Sequence, residues 1–323
     1  MFVDDVKDAT QTITASEQVL SAREFNRLIN RDWRVTSYSA LSRDAQHLTV
    51  QDPRAENKLT SDTLDIEVIE EQAIEAEISD QKTIFNFHKG AVAGTFLHSI
   101  YEEIDFEQCQ KQDIATVLEK RLPLVGYELS WLPCLTEFVD QSLDAQLTAT
   151  PFIEGFTLRD ISAANRLVEM EFVFPFAAIN CQQVNQLLVK HDALAAQAGL
   201  LMFEQVEGML KGFIDLTIRH DNKYYVVDYK SNFLGSALED YHLSAIEQAM
   251  IEHRYDFQYV LYTLALHRLL RSRLENYDYD THVGGVFYLF LRGLQAQSQT
   301  GVFYTKPKKA LIEQLDALFE NIK

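Results

Sequence analysis

The chain has 323 residues, enough for one sizeable domain with an appendage, and its 47% hydrophobic content is ordinary for a globular fold. A formal net charge of −19 excludes a broadly basic protein that coats nucleic acid unaided. No run approaches the roughly 18 apolar residues of a membrane span, and the N-terminus lacks the basic-then-apolar layout of a signal peptide, so a cytoplasmic protein without membrane association is expected.

Residues 1–32 are polar and partly acidic, and read as a linker or N-terminal extension. The interval 61–81 reads as an acidic loop, since Asp62 to Asp80 holds eight acidic residues and no basic one. A helix is predicted from Lys89 to Glu103. Gly90 and Gly94 admit a tight turn into it, and Phe96, Leu97, Ile100 and Tyr101 supply its apolar stripe. His98 lies on this helix. Residues 110–165 read as largely helical, with breaks at Pro123, Pro133 and Pro151. Arg166 to Pro175 reads as a strand on which Glu169 and Glu171 share one face by period two. Either serves as a surface charge on an edge strand or as a carboxylate near a metal. Residues 176–207, rich in Ala, Leu and Gln, read as a helical insertion.

Two strands follow, Gly212-Phe213-Ile214-Asp215-Leu216-Thr217 and Tyr224-Tyr225-Val226-Val227-Asp228-Tyr229-Lys230. Between them, Arg219 to Lys223 reads as a hairpin turn, because Asp221 and Asn222 tolerate tight-turn geometry. Neighbouring strands lie about 4.8 Å apart, which brings Asp215 and Asp228 within reach of one ion. Asp228 and Lys230 share a strand face, with Tyr229 pointing away. A long helix is predicted from about Ala245 to Arg273, with Arg254, Gln258 and Tyr262 on one face at four-residue spacing. Gly284-Gly285 introduces a last strand to Leu291, and Lys306, Lys308 and Lys309 form a small surface cluster.

The residue types set the chemistry. A phosphodiester is anionic and repels hydroxide; a divalent cation relieves that repulsion and lowers the pKa of water. Mg²⁺ takes one or two carboxylates and keeps open positions. Two carboxylates with an ammonium alongside are the parts such a hydrolysis needs. The charge distribution is compatible with it: residues 211–323 carry 13 Lys and Arg against 14 Asp and Glu, so the acidic excess lies in the first 210 residues. Cys109, Cys134 and Cys181 are too few for the four thiolates of an iron–sulfur cluster, and no Cys-x-x-Cys pair is present. Without a Gly-x-x-x-x-Gly-Lys-Ser/Thr loop, no ATP site is expected in this chain.

Gly-Phe-Ile-Asp-Leu (212–216), Val-Asp-Tyr-Lys-Ser-Asn-Phe-Leu-Gly (227–235) and the run from His253 to Arg268 resemble the nuclease domain at the C-terminus of the RecB family, the beta subunits of exonuclease V. Trp33 to Ser39, Lys89 to His98 and Gly284 to Gly293 resemble it in the same order, and the similarity covers roughly residues 30–320. The resemblance implies an α/β, restriction-endonuclease-like fold over residues 33–323: a mixed central sheet flanked by helices. It implies a Mg²⁺-dependent DNA exonuclease and endonuclease domain, with Mn²⁺ as a substitute, acting in double-strand-break repair and recombination. The metal ligands implied are His98, Asp215, Asp228 and the backbone carbonyl of Tyr229. Lys230 is the implied catalytic cation, Glu169 is favoured over Glu171 as a further acidic group, and Gln258 and Tyr262, with Arg254, are the implied substrate contacts. Implied partners are DNA, RecC- and RecD-like subunits and a RecB helicase portion. The other reading is a non-catalytic scaffold that binds DNA ends or subunits, which the acidity suggests.

Overall fold

The computed structural model describes residues 33–42, 81–148, 155–203 and 205–320. The N-terminal extension, the acidic loop up to Asp80 and Pro151 lie outside these. In chain order the strands are β1 (Trp33–Thr36), β2 (Arg166–Ile179), β3 (Val206–His220), β4 (Lys223–Lys230), β5 (Val283–Phe290) and β6 (Val302–Thr305). The helices are α1 (Tyr38–Ser42), α2 (Ala91–Glu103), α3 (Lys111–Arg121), α4 (Leu132–Leu143), α5 (Cys181–His191), α6 (Leu243–Glu252), α7 (Tyr255–Arg273), α8 (Tyr279–His282) and α9 (Lys309–Glu320).

All six strands form one mixed sheet. β2 runs antiparallel along one side of β3. On the other side of β3, β1 pairs in parallel with Glu207–Leu210, and β4 pairs antiparallel with Leu216–His220. β4 then pairs in parallel with β5, and β5 antiparallel with β6. The β3–β4 hairpin turns on Asp221 and Asn222, whose φ angles of 46° and 59° are the left-handed pair a two-residue hairpin requires.

Side-chain alternation sorts the core onto the two sheet faces. Val226, Tyr288 and Phe290 pack with α1, α5, α6, α7 and α9 in one cluster. Val227, Tyr229, Phe287 and Leu289 pack with α2, α3 and α4 in the other. Across the β2–β3 pair this alternation inverts. Met170 and Ile214 belong to the first cluster, but the next pair of the same parity, Val168 and Leu216, belongs to the second. Between them lie Glu169 and Asp215, and Glu169 has a left-handed φ of 49°. A non-glycine residue in that region marks a strained backbone.

Several elements differ in extent from the sequence reading. The break expected at Pro133 is instead the first turn of α4, where proline's missing N–H costs nothing. β2 runs past Pro175 to Ile179, and α5 and a turn region then lead to β3. The single helix expected over 245–273 is two, α6 and α7, because Arg254 adopts a left-handed conformation (φ 59°) between them. Among the described residues no helix is long and apolar enough to cross a membrane, and Cys109, Cys134 and Cys181 are free thiols.

The Gly284-Gly285 pair has a specific reason. The β4–β5 register slips between Tyr224 and Tyr225, which oppose Val283 and Gly285 and leave Gly284 as the extra residue. Gly285 has a φ of 127°, and a Cβ there would sit 2.7 Å from the Thr305 carbonyl oxygen. Gly285→Ala is therefore expected to cost roughly 1–3 kcal/mol or more of stability. Equilibrium urea unfolding checks this; a change under about 0.5 kcal/mol, ordinary for a surface site, contradicts it.

Candidate active site

The site lies where the hairpin opens. β3 and β4 are paired as far as Leu216 and Val227, and then they part. β4 continues beside β5 through Asp228, Tyr229 and Lys230, while β3 stays with β2. In the opening, the Tyr229 backbone N–H donates to Asp215 Oδ2 at 2.8 Å, replacing the strand-to-strand bond with a side-chain one. That bond fixes one carboxylate against the chain that carries the other.

α2 covers this fork. Gly90 enters it with a φ of 87°, and Gly94 lets it approach: a Cβ on Gly94 would lie 2.8 Å from Ser231 Oγ. One turn further on, His98 Nδ1 is 3.5 Å from Asp215 Oδ2, and its ring meets the Tyr229 ring edge-on at 5.7 Å. The His98 pKa is lowered to about 4, chiefly by burial and also by Lys230, against the opposing effects of Asp228, Glu102 and a hydrogen bond to the Tyr229 backbone. The imidazole is thus neutral at physiological pH, the form that ligates metals.

Asp228 and Lys230 are 2% and 5% exposed, with Lys230 Nζ 2.9 Å from Asp228 Oδ2. The ammonium also lies 3.9 Å from the Tyr255 ring centroid and 5.5 Å from that of Tyr288. Two electron-rich ring faces and one carboxylate surround this buried lysine and hold it in place. Glu169 and Asp215 lie between the Val168–Leu216 and Met170–Ile214 pairs of the β2–β3 register. Glu169 has its pKa pushed up to about 8, first by burial and then by Asp215, Glu102 and Asp228. Its Oε2 is buried without a hydrogen-bond partner. Glu171 is separated from it, exposed and ion-paired with Lys211 at 3.2 Å; the left-handed backbone at Glu169 breaks the period-two relation between them.

The residues expected to touch substrate are placed differently. Gln258 and Tyr262 are 1% and 4% exposed. Gln258 Nε2 donates to Tyr262 Oη at 3.1 Å, and Tyr288 Oη donates to Gln258 Oε1 at 2.9 Å. They form a tether behind the Lys230 cradle. Arg254 is held by other partners: its guanidinium grips the fully buried Asp256 with two 2.9 Å bonds and also donates to the Gly199 carbonyl.

Four groups escaped the sequence reading: Tyr255 and Tyr288 of the cradle, Glu102, and Arg292. Glu102 had a signal, since it follows His98 by one helical turn.

Among the described residues no group of three His, Cys, Asp or Glu is arranged to hold a metal ion. The Lys230 ammonium faces Asp228, while the neutral His98 imidazole adjoins Asp215 without offsetting its charge, and Glu169 is left over. The donors nonetheless suit a hard divalent cation: carboxylates crowd one half-buried region, a neutral imidazole adjoins them, and one buried carboxylate oxygen lacks a partner.

This fold and fork belong to a known class. The family model of the PD-(D/E)XK nuclease superfamily matches residues 73–323, and the chain belongs to that superfamily. Within it the chain is homologous to RecB. It is 44% identical over 315 residues to the RecBCD enzyme subunit RecB of Escherichia coli strain K12, and 35% identical over 319 residues to that of Haemophilus influenzae. Each alignment covers 96% of this chain and 25% of the relative. The subunit of the same name from Buchnera aphidicola subsp. Schizaphis graminum is 37% identical over 246 residues, 75% of this chain and 20% of the relative. The chain thus spans about a quarter of the length of these relatives.

Removing Arg254 strands a buried carboxylate. Arg254→Ala is expected to cost about 3–5 kcal/mol of stability, as for a broken buried ion pair, by urea unfolding. A fully stable variant would contradict the structural assignment of this arginine.

Proposed function

We propose that this chain is the metal-dependent DNA-cutting module of a RecB-type helicase–nuclease, acting with RecC- and RecD-like partners on DNA ends in repair and recombination. The observation that carries the reading is the fork itself, where Asp215, Asp228, Lys230 and His98 meet with Glu169 facing them. Asp215, Asp228, His98 and the Tyr229 carbonyl would hold Mg²⁺, or Mn²⁺ in its place. When bound, the ion supplies charge compensation at the phosphodiester and lowers the pKa of water.

The chain's own residues do the rest. Lys230, held by Asp228 and the two tyrosine rings, presents a fixed positive charge that orients the attacking water and offsets charge on the scissile phosphate. Tyr229 N–H orients the Asp215 carboxylate. His98 stays neutral because it is buried, so it offers a lone pair rather than a competing charge. Glu169, protonated without a cation, ionises when positive charge enters the cluster. Gln258 and Tyr262 steady the cradle through Tyr288, and so act on substrate at one remove.

The net charge of −19 favours a second reading, a subunit-binding scaffold without catalysis. Digestion of single-stranded DNA with Mg²⁺ separates the two. Asp228→Ala is expected to abolish detectable cutting and Mn²⁺ binding by calorimetry, and Lys230→Gln to lower the rate by about 10²–10³-fold while Mn²⁺ still binds. Wild-type protein that binds no Mn²⁺, or Asp228→Ala as active as wild type, overturns the nuclease reading.

A further inference from the structure

Arg292 is a buried cation that the chemistry above leaves unused. It lies in the turn Leu291–Gly293 at the end of β5 and is 1% exposed. Among the described residues it forms no ion pair. Its guanidinium is spent on backbone carbonyls instead. Nε donates to Ser231 O at 3.1 Å, Nη1 to Ile84 O and to Phe87 O, the latter at 3.3 Å, and Nη2 to His88 O. Burial lowers its pKa, and only Tyr241 and Tyr127 oppose this. Burying a charge without a counter-charge is costly and persists where every donor is satisfied.

The two segments it joins are the two halves of the fork. Ser231 follows Lys230 directly. Residues 84–88 lead straight into Gly90 and α2, which carries His98. The same seam closes at two more points: the Gly94 approach to Ser231, and Lys89 Nζ lying 3.2 Å from the Phe233 ring centroid. The seam therefore fixes the height of α2 over the end of β4, and hence of His98 over Asp215 and the Tyr229 backbone.

We propose that Arg292 is a positioning residue: by clamping the carbonyls of 84–88 to that of Ser231, it holds the His98 helix in register with Asp228 and Lys230. Only a planar five-donor group spans these four acceptors, and lysine's three donors on one atom do not. The inference rests on the metal-dependent nuclease reading and extends it to a residue remote from the substrate.

The test is Mn²⁺ titration by calorimetry, below the melting temperature of each protein, on wild type, Arg292→Lys and Arg292→Gln. Leu315→Ala, in the core on the opposite sheet face, is the control for destabilisation alone. The Arg292 variants are expected to bind Mn²⁺ about 10–100-fold more weakly, with faster amide exchange in α2. The control is expected to melt lower yet keep wild-type affinity. Gly94→Val pries the same seam from its other side and serves even if neither Arg292 variant folds; it too is expected to weaken Mn²⁺ binding. Wild-type binding with unchanged affinity in a folded Arg292 variant, or in Gly94→Val, overturns this inference alone. Wild-type protein that binds no Mn²⁺ overturns it together with the nuclease reading.

Discussion

The parting of β3 from β4 after the Leu216–Val227 pair is the constraint on which the site depends. Two antiparallel strands that stayed paired would satisfy their backbone groups and leave no room for chemistry. By separating, they expose an amide that must find an acceptor, and Asp215 supplies it. The same separation lets Asp228 and Lys230 stay in the sheet through β5, so they remain rigid, buried and paired beside the fork. Opposite them, the strained backbone at Glu169 inverts the side-chain alternation of the β2–β3 pair and brings a third carboxylate to the same place. Such crowding of like charge is unfavourable, and strain of this kind gathers at functional sites.

The rest of the molecule serves to hold that fork open in one geometry. On one face α7 is buried nearly all round and supplies the Tyr255 ring, with Gln258 bracing Tyr288. On the other, α2 lies close because Gly94 has no side chain, and Arg292 ties the segment before it to the segment after Lys230. Lys230 is thus positioned from one side of the sheet and His98 from the other.

Much of this was legible in the sequence, for identifiable reasons. The Asp221-Asn222 turn fixed the hairpin, and period two put Asp228 and Lys230 on one face. The apolar stripe predicted α2, and the resemblance to the RecB family singled out His98 on it. Other features leave no periodic trace. The left-handed residue at Arg254 splits a continuous helical pattern, and turns an arginine expected near substrate toward Asp256 instead. α7 is apolar or internally bonded on every side, so spacing alone cannot tell a substrate-facing Gln258 from a buried one. Glu169 and Glu171 look equivalent until the backbone at Glu169 is known. Arg292 sits in an apolar run whose long-range carbonyl partners have no local signature.

The central claim is that this fork gathers its oxygens and one imidazole around a single hard cation. Anomalous diffraction from a crystal soaked in Mn²⁺ tests it most directly. The account predicts a peak bounded by the Asp215 and Asp228 carboxylates, the His98 imidazole and the Tyr229 carbonyl, with Lys230 drawn off Asp228. A saturating soak that leaves the fork without density, with manganese only at surface carboxylates, would contradict it.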